Sequence, residues 1–195
     1  MNPKHDRVDW RTAAIEPPGW IAGAERRPST HWDLRPEGTP IDLLVIHNIS
    51  LPPGEFGGPW IDDLFLGRLD PLGHPYFAVA AAAGPVSAHL LIRRDGHLLQ
   101  YVPFGHRAWH AGRSCFQGRE RCNDFSIGIE LEGDDDTPFE PHQYGSLIRA
   151  TRAIMAHYPA IDPGRIRGHS DIAPGRKTDP GPHFDWSLYL AALGT

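Results

Sequence analysis

From Pro141 to His157 the chain repeats apolar or half-polar residues at Tyr144, Leu147, Ile148, Thr151, Ile154 and Met155. That is the i, i+3, i+4, i+7 spacing of a helix with one apolar face. Pro141 suits its first turn and Pro159 lies just past its end. A helix of this kind has to bury its stripe against another layer, and short apolar runs elsewhere supply one. Residues 41–47 (IDLLVIH) are rich in aliphatic side chains and stop at a Pro/Gly-rich loop, the pattern of a buried strand. Residues 125–131 alternate Phe, Ile, Ile and Leu with small or polar residues, a third-strand pattern beside the pair at 86–92 and 98–102. That pair flanks Arg93-Arg94-Asp95-Gly96, and Asp-Gly is the strongest short hairpin signal. Residues 166–169 read as a further short strand, and 60–66 and 186–193 as helices. The expected fold class is α/β, of the α+β kind: a single domain with a central mixed β-sheet packed by helices.

A length of 195 residues suits one domain. We expect a flexible extension over 1–15 and the domain over 16–195. The 21 Gly and 20 Pro exceed ordinary usage without reaching a disordered composition. Net charge is −5, which gives no electrostatic grip on nucleic acid or an anionic membrane. No run reaches the ~20 apolar residues of a membrane helix, and the opening MNPKHDRVDWRTAA lacks the apolar stretch of a secretory signal. Cys115 and Cys122 do not make a disulfide framework and fit a reducing compartment. The expected location is the cytoplasm.

Twelve His in one chain direct attention to metal chemistry, and three stretches depart from what a core requires. In VIHNIS a strand delivers His47 next to a Gly/Pro-rich loop, where rigid scaffolds present reactive groups. In SIGIELEG, alternation turns Glu130 away from Ile127, Ile129 and Leu131 and onto the side of Gly128 and Glu132. Gly128 is expected to leave room for a ligand above Glu130, and burial there would raise the carboxyl pKa toward a general base's range. Glu132, nearer the acidic run 134–136, is expected to be solvated. The third stretch, GHSDIAPGRKTDPGP, is the densest. If residues 177–179 are extended, Lys177 and Asp179 point the same way, and Pro180 favours that conformation. Two His and one carboxylate (His47, His169 and Asp179) form a recurrent catalytic zinc set, on which zinc lowers the pKa of water and polarises a carbonyl. Asp171 competes with Asp179 as the carboxylate, with a turn or capping role as its alternative.

The ordered blocks VIHNISLPPGEFGGPWID, HPYF, VSAH, LLIRRDG, RAWHAG, GRERCNDFSIGIELEG and GHSDIAPGRKTDPGP resemble the zinc amidases of the peptidoglycan-recognition superfamily. The likeness runs from about Gly19 to Trp186. It implies an amidase/peptidoglycan-recognition-like fold and a zinc N-acetylmuramoyl-L-alanine amidase. The implied substrates are small anhydro-muropeptides returned during cell-wall recycling, with β-lactamase induction restrained as a consequence. By motif, it implies His47, His169 and Asp179 as zinc ligands, Glu130 as proton acceptor and Lys177 as the group that stabilises the transition state. Asn48, Trp109 and Arg121 are plausible contacts to sugar or peptide carboxylates. No obligate protein partner is implied. The Ala-rich residues 78–85 depart from the resemblance. A peptidoglycan-binding module without chemistry and an exported amidase acting on polymeric murein are the rival readings.

Overall fold

Six short strands form one sheet: Glu25–Arg26 (β1), Leu43–Ile49 (β2), Leu90–Ile92 (β3), Leu98–Gln100 (β4), Ser126–Glu132 (β5) and Ile166–Gly168 (β6). Their order across the sheet is β6-β2-β5-β3-β4-β1. The β6–β2, β2–β5, β5–β3 and β4–β1 pairs are parallel, and the β3–β4 hairpin is antiparallel. The sheet is therefore mixed. The computed structural model describes residues 14–194. Of the expected extension over 1–15, residues 1–13 lie outside the described residues, and Ile15–Glu16 pairs antiparallel with Trp20–Ile21.

Among the described residues five α-helices surround the sheet: Trp60–Phe65 (α1), Pro75–Ala82 (α2), Pro141–His157 (α3), His169–Ile172 (α4) and Trp186–Leu193 (α5). On one face, Leu44 and Ile46 of β2 and Ile127, Ile129 and Leu131 of β5 meet Leu147, Ala150 and Ile154 of α3 and Tyr189 of α5. This is the surface that the stripe of α3 demanded. Within it the Thr151 and Tyr189 hydroxyls satisfy each other at 2.7 Å, since a buried hydroxyl left alone is costly. On the other face α1 and α2 bring Ile61, Phe65 and Phe77 against Leu91 and Leu99. Leu43 and Val45 pack there against Phe116, Phe125 and Ile172.

Two local expectations shift. Strand β2 does not stop at His47 but runs to Ile49, because His47, Asn48 and Ile49 stay in register with Glu130, Leu131 and Glu132. The hairpin strands hold three residues each. Ser87 and His89 instead donate their N–H groups to the Trp109 and Gly128 carbonyls. The Ala-rich tract is mostly the end of a helix, α2, whose N-cap is the His74 side chain accepting from the Tyr76 N–H at 3.1 Å. No helix among the described residues is long and apolar enough to cross a membrane.

Glu132 is not solvated. It is 1% exposed, with Oε1 accepting from Arg93 at 2.9 Å and from the Gly57 N–H at 2.7 Å, and Oε2 accepting from the Arg94 N–H at 3.1 Å. Arg93 also donates to Asp62 at 2.6 Å. One guanidinium thus bridges two buried carboxylates, and the fixed fork of Arg suits that task. Arg93→Ala leaves Glu132 buried without its cation. The expected loss is roughly 3 kcal/mol, toward the lower end because Arg27 still faces Asp62 at 2.7 Å. Urea unfolding of the purified variant measures it.

Candidate metal centre and active site

The parallel register sets Glu130 directly beside His47. The next strand, β6, ends at Gly168, so that His169 opens α4. These residues lie toward the carboxyl ends of three adjacent parallel strands, the edge where open α/β sheets hold ligands. Asp179 reaches the same point from the loop after α4. That loop folds back because the Ser170 N–H donates to the Asp179 carbonyl at 3.0 Å and the Lys177 N–H to the Ala173 carbonyl at 3.1 Å.

Nδ1 of His47 lies 3.0 Å from Nδ1 of His169, and Asp179 Oδ2 lies 2.8 and 3.0 Å from these two nitrogens. All three side chains are buried. Burial lowers the His47 pKa to about 4, so its ring is neutral at neutral pH and offers a lone pair. Burial pushes the Asp179 carboxyl upward, but hydrogen bonds to His169 and His47 outweigh it and hold the group well below the usual range. Two ring nitrogens and a carboxylate oxygen converging in this way form a group able to hold a metal ion.

Glu130 is 8% exposed. Its Oε1 stands 4.0 Å from His47 Nδ1, and its Oε2 is buried with no hydrogen-bond partner. Burial, and then the Asp179 charge, raise its pKa well above the ordinary value, with Lys177 acting the other way. Lys177 is itself exposed and lines the same cavity, of about 310 Å³, as His47, Glu130, His169 and Asp179.

The expected contact residues divide. Trp109 lines the cavity, its ring stacked with His31. Asn48 also lines it, but its amide N–H groups go to Asp135 Oδ1 at 2.8 Å and the Pro180 carbonyl at 3.1 Å, so it ties down the loop after Asp179. Arg121 lines a separate cavity with Arg113 and Arg176 and pairs with Asp124 at 3.3 Å. Asp171 Oδ2 accepts from the Gly168 N–H at 2.8 Å, which is the capping alternative and takes it out of the metal group. Both cysteines are free and neither lines this cavity.

The space expected above Gly128 holds a side chain. A Cβ at that position would lie 2.5 Å from Cγ of His110, whose Nδ1 is 2.9 Å from His47 Nε2. A glycine inside a strand marks such a close approach, and His110 itself lies in the RAWHAG block of the resemblance. Gly128→Ala is expected to displace the ring and cost about 1–3 kcal/mol, read as a lower urea midpoint.

A parallel-strand edge bearing two histidines, a carboxylate and a buried glutamate has the layout of a metal-dependent hydrolase. The model of the N-acetylmuramoyl-L-alanine amidase family matches residues 37–182. The 1,6-anhydro-N-acetylmuramyl-L-alanine amidase AmpD of Enterobacter cloacae is 62% identical over 177 residues, covering 91% of this chain and 94% of that protein. A crystal structure of a selenomethionine AmpD derivative is similar at a TM-score of 0.87 and 60% identity, covering 90% of this chain and 97% of that one. A structure of Escherichia coli AmiD in complex with anhydro-N-acetylmuramic acid-L-Ala-D-gamma-Glu-L-Lys is similar at a TM-score of 0.58 and 32% identity, covering 93% of this chain and 66% of that one. The chain belongs to the N-acetylmuramoyl-L-alanine amidase family.

Proposed function

We propose that this chain hydrolyses the amide between the lactyl group of 1,6-anhydro-N-acetylmuramic acid and L-alanine in muropeptides of cell-wall recycling. Water adds to the lactyl carbonyl, the C–N bond breaks, and the products are the sugar's free carboxylate and a peptide with a free amino terminus. The observation that carries this reading is the convergence of His47, His169 and Asp179 beside Glu130 in one cavity. Relatives named for that amide, and the anhydro-muropeptide held by AmiD, support the choice of substrate.

Two imidazole nitrogens and one carboxylate oxygen, all buried, fit zinc, whose catalytic sites take three such ligands and keep a fourth position open. His47, His169 and Asp179 would hold it. When bound, the ion supplies the Lewis acidity that brings a water pKa to ~7 and polarises a carbonyl. Glu130 accepts the proton of the attacking water and delivers it to the alanine nitrogen as the C–N bond breaks. Its buried, unpartnered Oε2 suits that traffic. The Lys177 ammonium faces the negative charge that develops on the carbonyl oxygen, where one such donor is typically worth ~3–4 kcal/mol.

We read residues 16–195 as one amidase domain that works in the cytoplasm on small anhydro-muropeptides, without a nucleic-acid, membrane or obligate protein partner. Two free cysteines, Cys115 and Cys122, suit a reducing compartment. Removal of its substrates would restrain β-lactamase induction where muropeptides signal it.

The test incubates the purified chain with anhydro-N-acetylmuramyl tripeptide and identifies the products by mass spectrometry. Expected products are the anhydro sugar acid and the tripeptide; chelation stops the reaction and added zinc restores it. Faster cleavage of intact sacculi than of the soluble muropeptide would overturn the recycling role. A zinc-loaded chain that cleaves neither is a binding module.

A further inference from the structure

The two candidate ligand histidines turn their Nδ1 atoms toward Asp179, and what holds them that way lies on a segment outside the ligand set. A neutral imidazole carries one proton, so a bare Nδ1 requires Nε2–H, and a buried N–H requires an acceptor. His47 Nε2 lies 2.9 Å from His110 Nδ1. His169 Nε2 lies 3.0 Å from the carbonyl oxygen of Ala111. The two acceptors are consecutive residues.

We infer that residues 110 and 111 form a positioning element that sets the tautomer of both histidines. His110 Nδ1 accepts from His47 Nε2–H and the Ala111 carbonyl from His169 Nε2–H, so that both Nδ1 lone pairs face the metal. The inference rests on the reading of His47, His169 and Asp179 as the zinc site. A carbonyl only accepts, and although Arg176 Nη2 also lies 3.3 Å from His169 Nε2, its two protons go to the nearer Ala111 and Arg113 carbonyls at 2.8 and 2.7 Å. The His169 proton therefore sits on Nε2 and points to Ala111. For His47, the Nδ1 of His110 has to be bare, which puts the His110 proton on Nε2. Ser126 Oγ stands 3.1 Å from that atom and accepts it. Each imidazole proton therefore has one acceptor.

The element is itself fixed. Asn123 Oδ1 accepts from the His110 N–H at 3.2 Å and the Ala111 N–H at 2.8 Å. Arg176 donates to the Ala111 carbonyl at 2.8 Å, on its second lone pair. Gly128 leaves the His110 ring the room it occupies, between Ser126 and Glu130 on the same face of β5. Such outer partners orient metal-ligating histidines and raise their basicity.

The experiment measures zinc retention by competition with a chromophoric chelator, alongside ¹⁵N-histidine NMR of the zinc-loaded parent. His110→Phe keeps ring volume without an acceptor and is expected to bind zinc roughly 10–100-fold more weakly. His110→Asn restores an acceptor near the Nδ1 position and is expected to recover most of that loss. NMR is expected to show His47 and His169 both protonated on Nε2. Zinc binding by folded His110→Phe equal to the parent's, or a His47 protonated on Nδ1, would overturn the inference. The NMR result decides it even if the Phe variant does not fold. A parent that binds no zinc instead overturns the site reading on which this rests.

Discussion

Asp179→Ala is expected to lose the metal and amide hydrolysis together. His47 and His169 are buried imidazoles, and Asp179 Oδ2, 2.8 and 3.0 Å from their Nδ1 atoms, brings the negative charge of the set. Without it a divalent cation would meet two imidazoles in a buried pocket with its charge largely uncompensated. The drop in zinc affinity should therefore exceed the roughly 10–100-fold that loss of an outer partner costs. Asp179→Asn keeps the size and removes the charge, so it should follow the alanine variant in metal content while remaining folded. Elemental analysis of dialysed protein beside a product assay measures both quantities. Full zinc content, or full turnover, in either variant would show that Asp179 is not a ligand. Asp171→Ala is the internal contrast: its carboxylate caps the Gly168 N–H, so it should keep zinc and lose only about 1 kcal/mol of stability.

Glu130→Gln separates chemistry from metal binding. The variant is expected to retain zinc and to lose a factor of about 10²–10⁴ in kcat, the usual contribution of a positioned proton acceptor. Its stability should move the other way. Burial and the Asp179 charge raise the Glu130 pKa in the folded chain, so over the window between the unfolded and folded pKa values the native state binds more protons than the unfolded one. Stability is then fully present below the unfolded pKa and falls as pH rises through the folded pKa. A glutamine never ionises and escapes that cost. At neutral pH the metal-free variant should melt at or above the parent, the trade of stability for activity expected at a working site. A lower melting temperature with zinc lost would assign Glu130 to the metal shell instead.

Local pattern carried most of the architecture. The stripe from Tyr144 to Met155 gave α3 its bounds, since Pro141 and Pro159 bracket it and tertiary packing had nothing to override. Helix α2 escaped notice because its sequence, PYFAVAAA, is apolar all round and buries only Phe77, so no period marks a face. Glu132 misled for a different reason. The run that follows it in sequence, Asp134 to Asp136, is acidic and at least partly solvated, while its neighbour in space is Arg93, 39 residues away.

The order of chemical groups along the chain, and through the family resemblance the set His47, Glu130, His169, Lys177 and Asp179, can be written from the sequence by itself. Alternation along 126–132 also assigns Glu130 to a face, because side chains in a strand have a period of two. Proximity is another matter. That His47 pairs with Glu130 follows from the parallel register of β2 and β5, and register is set by long-range packing rather than local propensity. The same is true of the acceptor behind each histidine. His110 and Ala111 lie 63 and 58 residues from the rings they meet; only the closing of the sheet, over a glycine that leaves room for an imidazole, brings them within hydrogen-bond reach.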